Sequence, residues 1–209
     1  MSEQEIKEDL ARSLTREGYE VYVDHSRDPS LKKFKGTKKG GSQRKPDIIV
    51  FFEMGGAIDQ KFHIESPIGI EVKPADSYNQ ISKVVQQMES YKNCPVYLCD
   101  GREVVLKTLV LATQGSLSGG YVYAGSDSFP RTKSDDSKYA IEWSLVRQLF
   151  SLRDGSGKNL SFGILKRGAE GRHLMKFPNF ALIFEGGGRL CLLKMLDLDG
   201  DKVRLVNDV

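Results

Sequence analysis

Asp47, Glu71 and Lys73 are of the types and spacing that could hold and use a hard divalent cation. Glu71 and Lys73 end the apolar run Pro67–Lys73 (PIGIEVK), which reads as a strand. Side chains alternate along a strand, so Gly69, Glu71 and Lys73 share one face while Ile68, Ile70 and Val72 take the other. Burying either charge unpaired is costly, so a partner or a metal is expected beside them. A Glu-x-Lys alone is weak, because an exposed ion pair at a strand end has the same sequence. Asp47 opens a second apolar run, Pro46–Phe52 (PDIIVFF), after a proline that cannot donate a ladder hydrogen bond and so suits a strand start. Taken singly, Asp47 reads equally well as a turn or capping residue. If the two runs pair as antiparallel strands, Asp47 lies beside Glu71. Two carboxylates in one oxygen-rich corner suit magnesium.

The elements that would position these residues follow from periodicity. Ser2 with Glu5 three residues on is a capping-box pair, and Ile6, Leu10 and Leu14 recur at helical spacing until Gly18. Tyr19–Asp24 alternates like a strand, and Met54–Ser66, with Gly55-Gly56, reads as a hairpin or loop. Ile81, Val84, Val85, Met88 and Tyr91 predict a helix over about Ser77–Lys92, followed by strands at Pro95–Cys99 and Val104–Ala112. The expected order is therefore helix, three strands, helix, strand: an α/β layer with a mixed sheet. Residues 113–137, rich in Gly, Ser and Asp, read as a long loop or a boundary. A helix over Tyr139–Arg153 then leads into an antiparallel meander of Leu160–Leu165, Phe180–Phe184, Leu190–Leu196 and Val203–Val206. The region 138–209 is thus an α+β extension.

Net charge is only +3, from 31 Lys+Arg against 28 Asp+Glu, but it hides a local imbalance. Seven basic residues, Lys32, Lys33, Lys35, Lys38, Lys39, Arg44 and Lys45, fall between Leu31 and Lys45 with no acidic one, interrupted by Gly36, Gly40 and Gly41. Such a loop is either solvated surface or a means of touching a phosphate backbone without reading sequence. At 209 residues and 39% hydrophobic, the chain has enough apolar material for a core. No stretch approaches a membrane span, and MSEQEIKEDL lacks the apolar run of a signal peptide, so a cytoplasmic protein is expected. Three cysteines are too few for a disulfide framework or a four-cysteine zinc site. His25, His63 and His173 are isolated, and no P-loop or nucleophile elbow is present. Asp197, Asp199 and Asp201 are similar to a calcium loop, but Gly200 is misplaced and the distal Glu is absent, so they read as a hairpin turn.

Pro46-Asp47 followed by Glu71-Val72-Lys73 resembles the PD-(D/E)xK nuclease superfamily, whose restriction-endonuclease-like core has the order α-β-β-β-α-β. The likeness covers roughly residues 1–100, within an expected nuclease core of 1–112. It implies that Asp47, Glu71 and the Val72 carbonyl hold magnesium, with manganese as a substitute, and that Lys73 orients the attacking water. Gln87-Met88-Glu89-Ser90-Tyr91 is similar to the Q-x-x-x-Y motif of the RecB-like and type I restriction branches. At i and i+4, Gln87 and Tyr91 project from one helix face, although Tyr91 also lies on the apolar stripe and fits a core position. The superfamily often adds a Glu from the first helix. Glu3 sits in the middle of the Ile6–Leu10–Leu14 stripe while Glu8 lies nearly opposite, which favours Glu3; simple helix-dipole complementation would also account for it.

The resemblance implies a magnesium-dependent deoxyribonuclease, an endonuclease by expectation, with DNA and possibly RNA as partner and the basic loop on the backbone. A non-catalytic nucleic-acid-binding or assembly protein with the same fold is the rival reading. The region after Thr113 would serve dimerisation, as in a homodimer, or substrate selection.

Overall fold

Helix α1 (Glu3–Arg16) begins as its sequence predicts. Ser2 Oγ accepts from the Glu5 amide at 3.3 Å, and Glu5 Oε2 accepts from the Ser2 amide at 2.7 Å. Gly18 ends the helix at φ +91°, where a Cβ would stand 3.1 Å from the Gly187 Cα. Gly18→Ala should therefore cost about 1–3 kcal/mol, read as a lower midpoint in denaturant. An unchanged midpoint would mean that this close approach is not held in solution.

The computed structural model describes residues 2–34, 45–54, 64, 66–73, 81–91, 95–113, 161–167, 173–176, 180–196 and 203–204. The protein is mixed α/β. After α1 come β1 (Glu20–Val23), β2 (Lys32–Lys33), β3 (Ile48–Phe51), β4 (Glu53–Met54) and β5 (Ile68–Lys73). Helix α2 (Ile81–Ser90) precedes β6 (Pro95–Tyr97), β7 (Glu103–Val105) and β8 (Thr108–Thr113). The remaining strands are β9 (Ser161–Arg167), β10 (His173–Lys176), β11 (Phe180–Gly186), β12 (Arg189–Leu196) and β13 (Val203–Arg204). Eleven strands form one sheet in the order β13-β12-β11-β10-β9-β8-β5-β3-β1-β2, with β4 paired to β12. Pairing is antiparallel for β1–β3 and β3–β5, parallel for β5–β8 and β8–β9, and antiparallel from β9 to β13.

The sheet separates two apolar layers. Ile6, Leu10, Ala11 and Leu14 of α1 pack on one face against Val21, Val23, Ile48, Val50, Ile68, Ile70, Val72, Val110 and Ala112. Leu165, Met175, Leu182, Phe184 and Leu190, from the strands after 160, join that same core. His173 Nδ1 lies 3.0 Å from Glu17 Oε1, and the Tyr19 hydroxyl donates to the Arg189 carbonyl, so these strands are tied to the end of α1. On the other face, Val84, Met88 and Tyr91 cover Ile49, Leu109 and Leu111.

Four expectations are corrected. The strand that completes the core after α2 is β8, not Pro95–Cys99: among the described residues β6 pairs with β7 in a separate two-stranded sheet, and Leu98 just beyond it bridges to Phe34. The expected strand Val104–Ala112 is split between β7 and β8. The reason is burial on both faces: Leu109 and Leu111 point to α2 and Val110 and Ala112 to α1, as a central parallel strand requires, whereas Tyr97 and Val105 are exposed. The first two residues of the basic loop form β2, parallel to β1, and β10 adds a meander strand that periodicity missed. Residues 114–160, including the expected Tyr139–Arg153 helix, lie outside the described residues. Among the described residues no helix is long and apolar enough to cross a membrane.

Candidate metal and phosphate site

The register of β3 and β5 pairs Ile48 with Ile70, so one step further Asp47 faces Glu71. Backbone directions define the type of that pair. The Val72 amide points toward β3 and donates to Asp47 Oδ2 at 2.9 Å, while the Asp47 carbonyl points toward β1 and accepts from Asp24 at 2.8 Å. Asp47 and Glu71 are therefore a non-hydrogen-bonded pair, the kind whose side chains approach more closely. The Val72 carbonyl leaves the strand on the same edge as its amide, opposite Pro46, which has no N–H to offer it. Two carboxylates and a carbonyl thus converge where β3 begins and β5 ends.

Glu71 is 2% exposed. Its Oε2 accepts from the Tyr91 hydroxyl at 2.8 Å, and Tyr91 in turn accepts from Gln87 Nε2 at 2.7 Å. One turn of α2 thereby holds one oxygen of the carboxylate through a two-step relay. Burial drives the Tyr91 hydroxyl well above its ordinary pKa, and the neighbouring Glu71 charge adds to this, so it stays a donor. Lys73 Nζ lies 2.6 Å from Glu71 Oε1 and 3.5 Å from Glu3 Oε1. The Lys73 ammonium therefore pairs with the buried Glu71 Oε1, while Tyr91 holds the other oxygen of the same carboxylate.

Burial and the nearby Asp47 charge push Glu71 up to about 7, against the opposing pull of Lys73. Asp47 is also raised, chiefly by burial, although the Val72 amide, Lys7 and Lys73 favour its charge. Burial works against the Lys73 ammonium, but the attraction of Glu71, with Asp47 and Glu3, outweighs it and the net shift is upward. A carboxyl raised in the folded chain contributes stability that is full below its unfolded pKa and lost as pH rises through the folded one. The metal-free protein should lose on the order of 3 kcal/mol between pH 4.5 and about 7 from Glu71. Unfolding midpoints across that range should fall for wild type and stay flatter for Glu71→Gln. Parallel curves for the two would contradict this account.

All six residues expected at the chemistry, Glu3, Asp47, Glu71, Lys73, Gln87 and Tyr91, meet at this corner. Glu8 does not: it accepts from Gln4, Ser26 and the Arg27 amide, bracing the turn after β1. Sequence reasoning missed Lys7, whose Nζ is 3.5 Å from Asp47 Oδ1 with the side chain only 8% exposed. Its signal was available, since Lys7 lies one turn from Glu3 and three residues before Leu10 on the stripe that α1 buries.

Of the basic segment, Lys32 and Lys33 are exposed on β2, and Lys32 pairs with Glu20 at 2.8 Å. Lys45 is turned inward, 2.8 Å from Asp24 and over the Phe34 ring. Lys35, Lys38, Lys39 and Arg44 lie outside the described residues.

Asp47 and Glu71 fit a magnesium ion better than a softer metal. Among the described residues no group of three or more His, Cys, Asp or Glu side chains forms a metal cage. Magnesium characteristically takes one or two carboxylates and fills its octahedron with water and substrate phosphate oxygens. The donors such an ion would take are the facing Asp47 and Glu71 carboxylates, whose oxygens are engaged by the Val72 amide, Lys7, Tyr91 and Lys73 and so are held in fixed positions. Compared with known proteins, the chain matches no family model, no curated protein and no solved structure.

Proposed function

We propose that this chain is a magnesium-dependent nuclease of the PD-(D/E)xK type that hydrolyses phosphodiester bonds in DNA. The observation that carries the reading is the facing pair Asp47 and Glu71 with Lys73 on the same corner. The order α1, β1, β3, β5, α2, β8 supports a restriction-endonuclease-like core around it.

Asp47, Glu71 and the Val72 carbonyl would hold the ion, which supplies Lewis acidity at the phosphate. Lys73 orients the attacking water and offsets charge that develops on the phosphate in the transition state. Tyr91 and Gln87 hold Glu71 in one orientation, and Glu3 holds the Lys73 ammonium from the α1 side. Lys33, exposed at the sheet edge, is available to a phosphate backbone, and Lys32 beside it would have to leave Glu20 to reach one.

The test incubates linear, circular, branched and single-stranded DNA, and RNA, with the full chain, with and without magnesium or manganese. DNA cleavage that needs the metal and disappears in Glu71→Gln is expected. Metal-independent binding without cleavage of any substrate would favour the binding-protein reading, and cleavage of RNA alone would move the substrate.

A further inference from the structure

The ammonium of Lys7 has no role in the hydrolysis outlined above, yet the fold buries it on the apolar face of α1. Lysine is among the residues least often buried without a partner, and an aliphatic side chain would suit this stripe better. Its partner is Asp47 Oδ1 at 3.5 Å, while the other oxygen of Asp47 takes the Val72 amide. Two-metal hydrolytic centres hold their cations about 3.5–4 Å apart. A carboxylate placed like Asp47 would bridge such a pair, but here an ammonium already stands on one side of it. The charges agree: three carboxylates, Glu3, Asp47 and Glu71, meet two ammonium groups, Lys7 and Lys73, which leaves one net negative charge at full ionisation.

We propose that Lys7 is a built-in cation that occupies the second-cation position beside Asp47 and restricts the centre to one divalent ion. This rests on the metal-dependent reading given above. Lys7 is a positioning residue: it acts through Asp47, fixing a positive charge that does not exchange with solvent.

The experiment counts manganese on the metal-free chain by calorimetry and by electron paramagnetic resonance, where a close pair gives a spin-coupled signal. Wild type should bind one Mn2+ per chain, with no coupled signal. Lys7→Met should bind a second ion and show coupling. Lys7→Arg keeps the charge and should keep one ion at wild-type affinity, with unfolding midpoints reporting that each variant is folded. A coupled pair on wild type would overturn the proposal whether or not Lys7→Met folds. One ion on both wild type and folded Lys7→Met, at whatever affinity, would overturn it as well, leaving the nuclease reading intact. Absence of Mn2+ binding in every form would remove both.

Discussion

Lys73→Met is expected to slow single-turnover DNA cleavage about a hundred- to thousandfold, equivalent to ~2.7–4 kcal/mol, with little change in DNA affinity. The ammonium is held at 2.6 Å by Glu71 and at 3.5 Å by Glu3, so it stays beside the facing carboxylates rather than reaching toward distant backbone. Methionine keeps most of the volume and removes the charge. It also removes an attraction that holds the Glu71 titration down, so that titration should move above its value of about 7. A rate measured at neutral pH would mix lost water orientation with lost ionisation of Glu71. The comparison therefore belongs well above that pH and at saturating manganese, where Glu71 is charged in both proteins. A rate that recovers fully there would reduce Lys73 to a charge partner of Glu71. Normal chemistry with weakened binding would recast it as a phosphate clamp.

What the sequence made legible was mostly local. The capping box of α1, its stop at Gly18 and the facing of Ile68, Ile70 and Val72 to one side of β5 with Glu71 to the other depend on neighbours a few residues apart, and the structure has all three. The facing of Asp47 and Glu71 needed only the antiparallel pairing of two apolar runs. The fourth core strand was not legible, because PVYLC and TLVLAT have equal strand composition. Only burial of Leu109 and Val110 on opposite faces, a tertiary fact, selects the second. The pairing of β4 with β12 joins residues about 135 apart in sequence, beyond the reach of any local pattern. Lys7 escaped for a different reason. A helical wheel ranks positions by hydrophobicity, so a lysine is passed over even where its place on the buried stripe is readable, and its carboxylate partner just before β3 is not.

That partner makes Asp47 the residue whose loss should be felt twice. Asp47→Ala removes one of the two facing carboxylates that would hold the ion, and manganese affinity should fall by at least about a hundredfold, since even outer-shell losses reach that size. Metal-dependent cleavage should go with it. The same change strands the Lys7 ammonium, 8% exposed, without its carboxylate. Breaking a buried pair from one side typically costs about 3–5 kcal/mol, whereas replacing both partners by apolar groups costs little. Here Asp47 itself resists burial, since its carboxyl is raised above the ordinary range, so the loss should sit at the low end. Unfolding of wild type, Asp47→Ala, Lys7→Met and the double variant closes a double-mutant cycle. The double variant should regain most of the stability that Asp47→Ala loses, yet regain none of the manganese affinity. Stability that returns without metal binding separates the two duties of Asp47, one toward Lys7 and one toward the ion. Full manganese affinity in Asp47→Ala would instead mean that Glu71 holds the ion without Asp47.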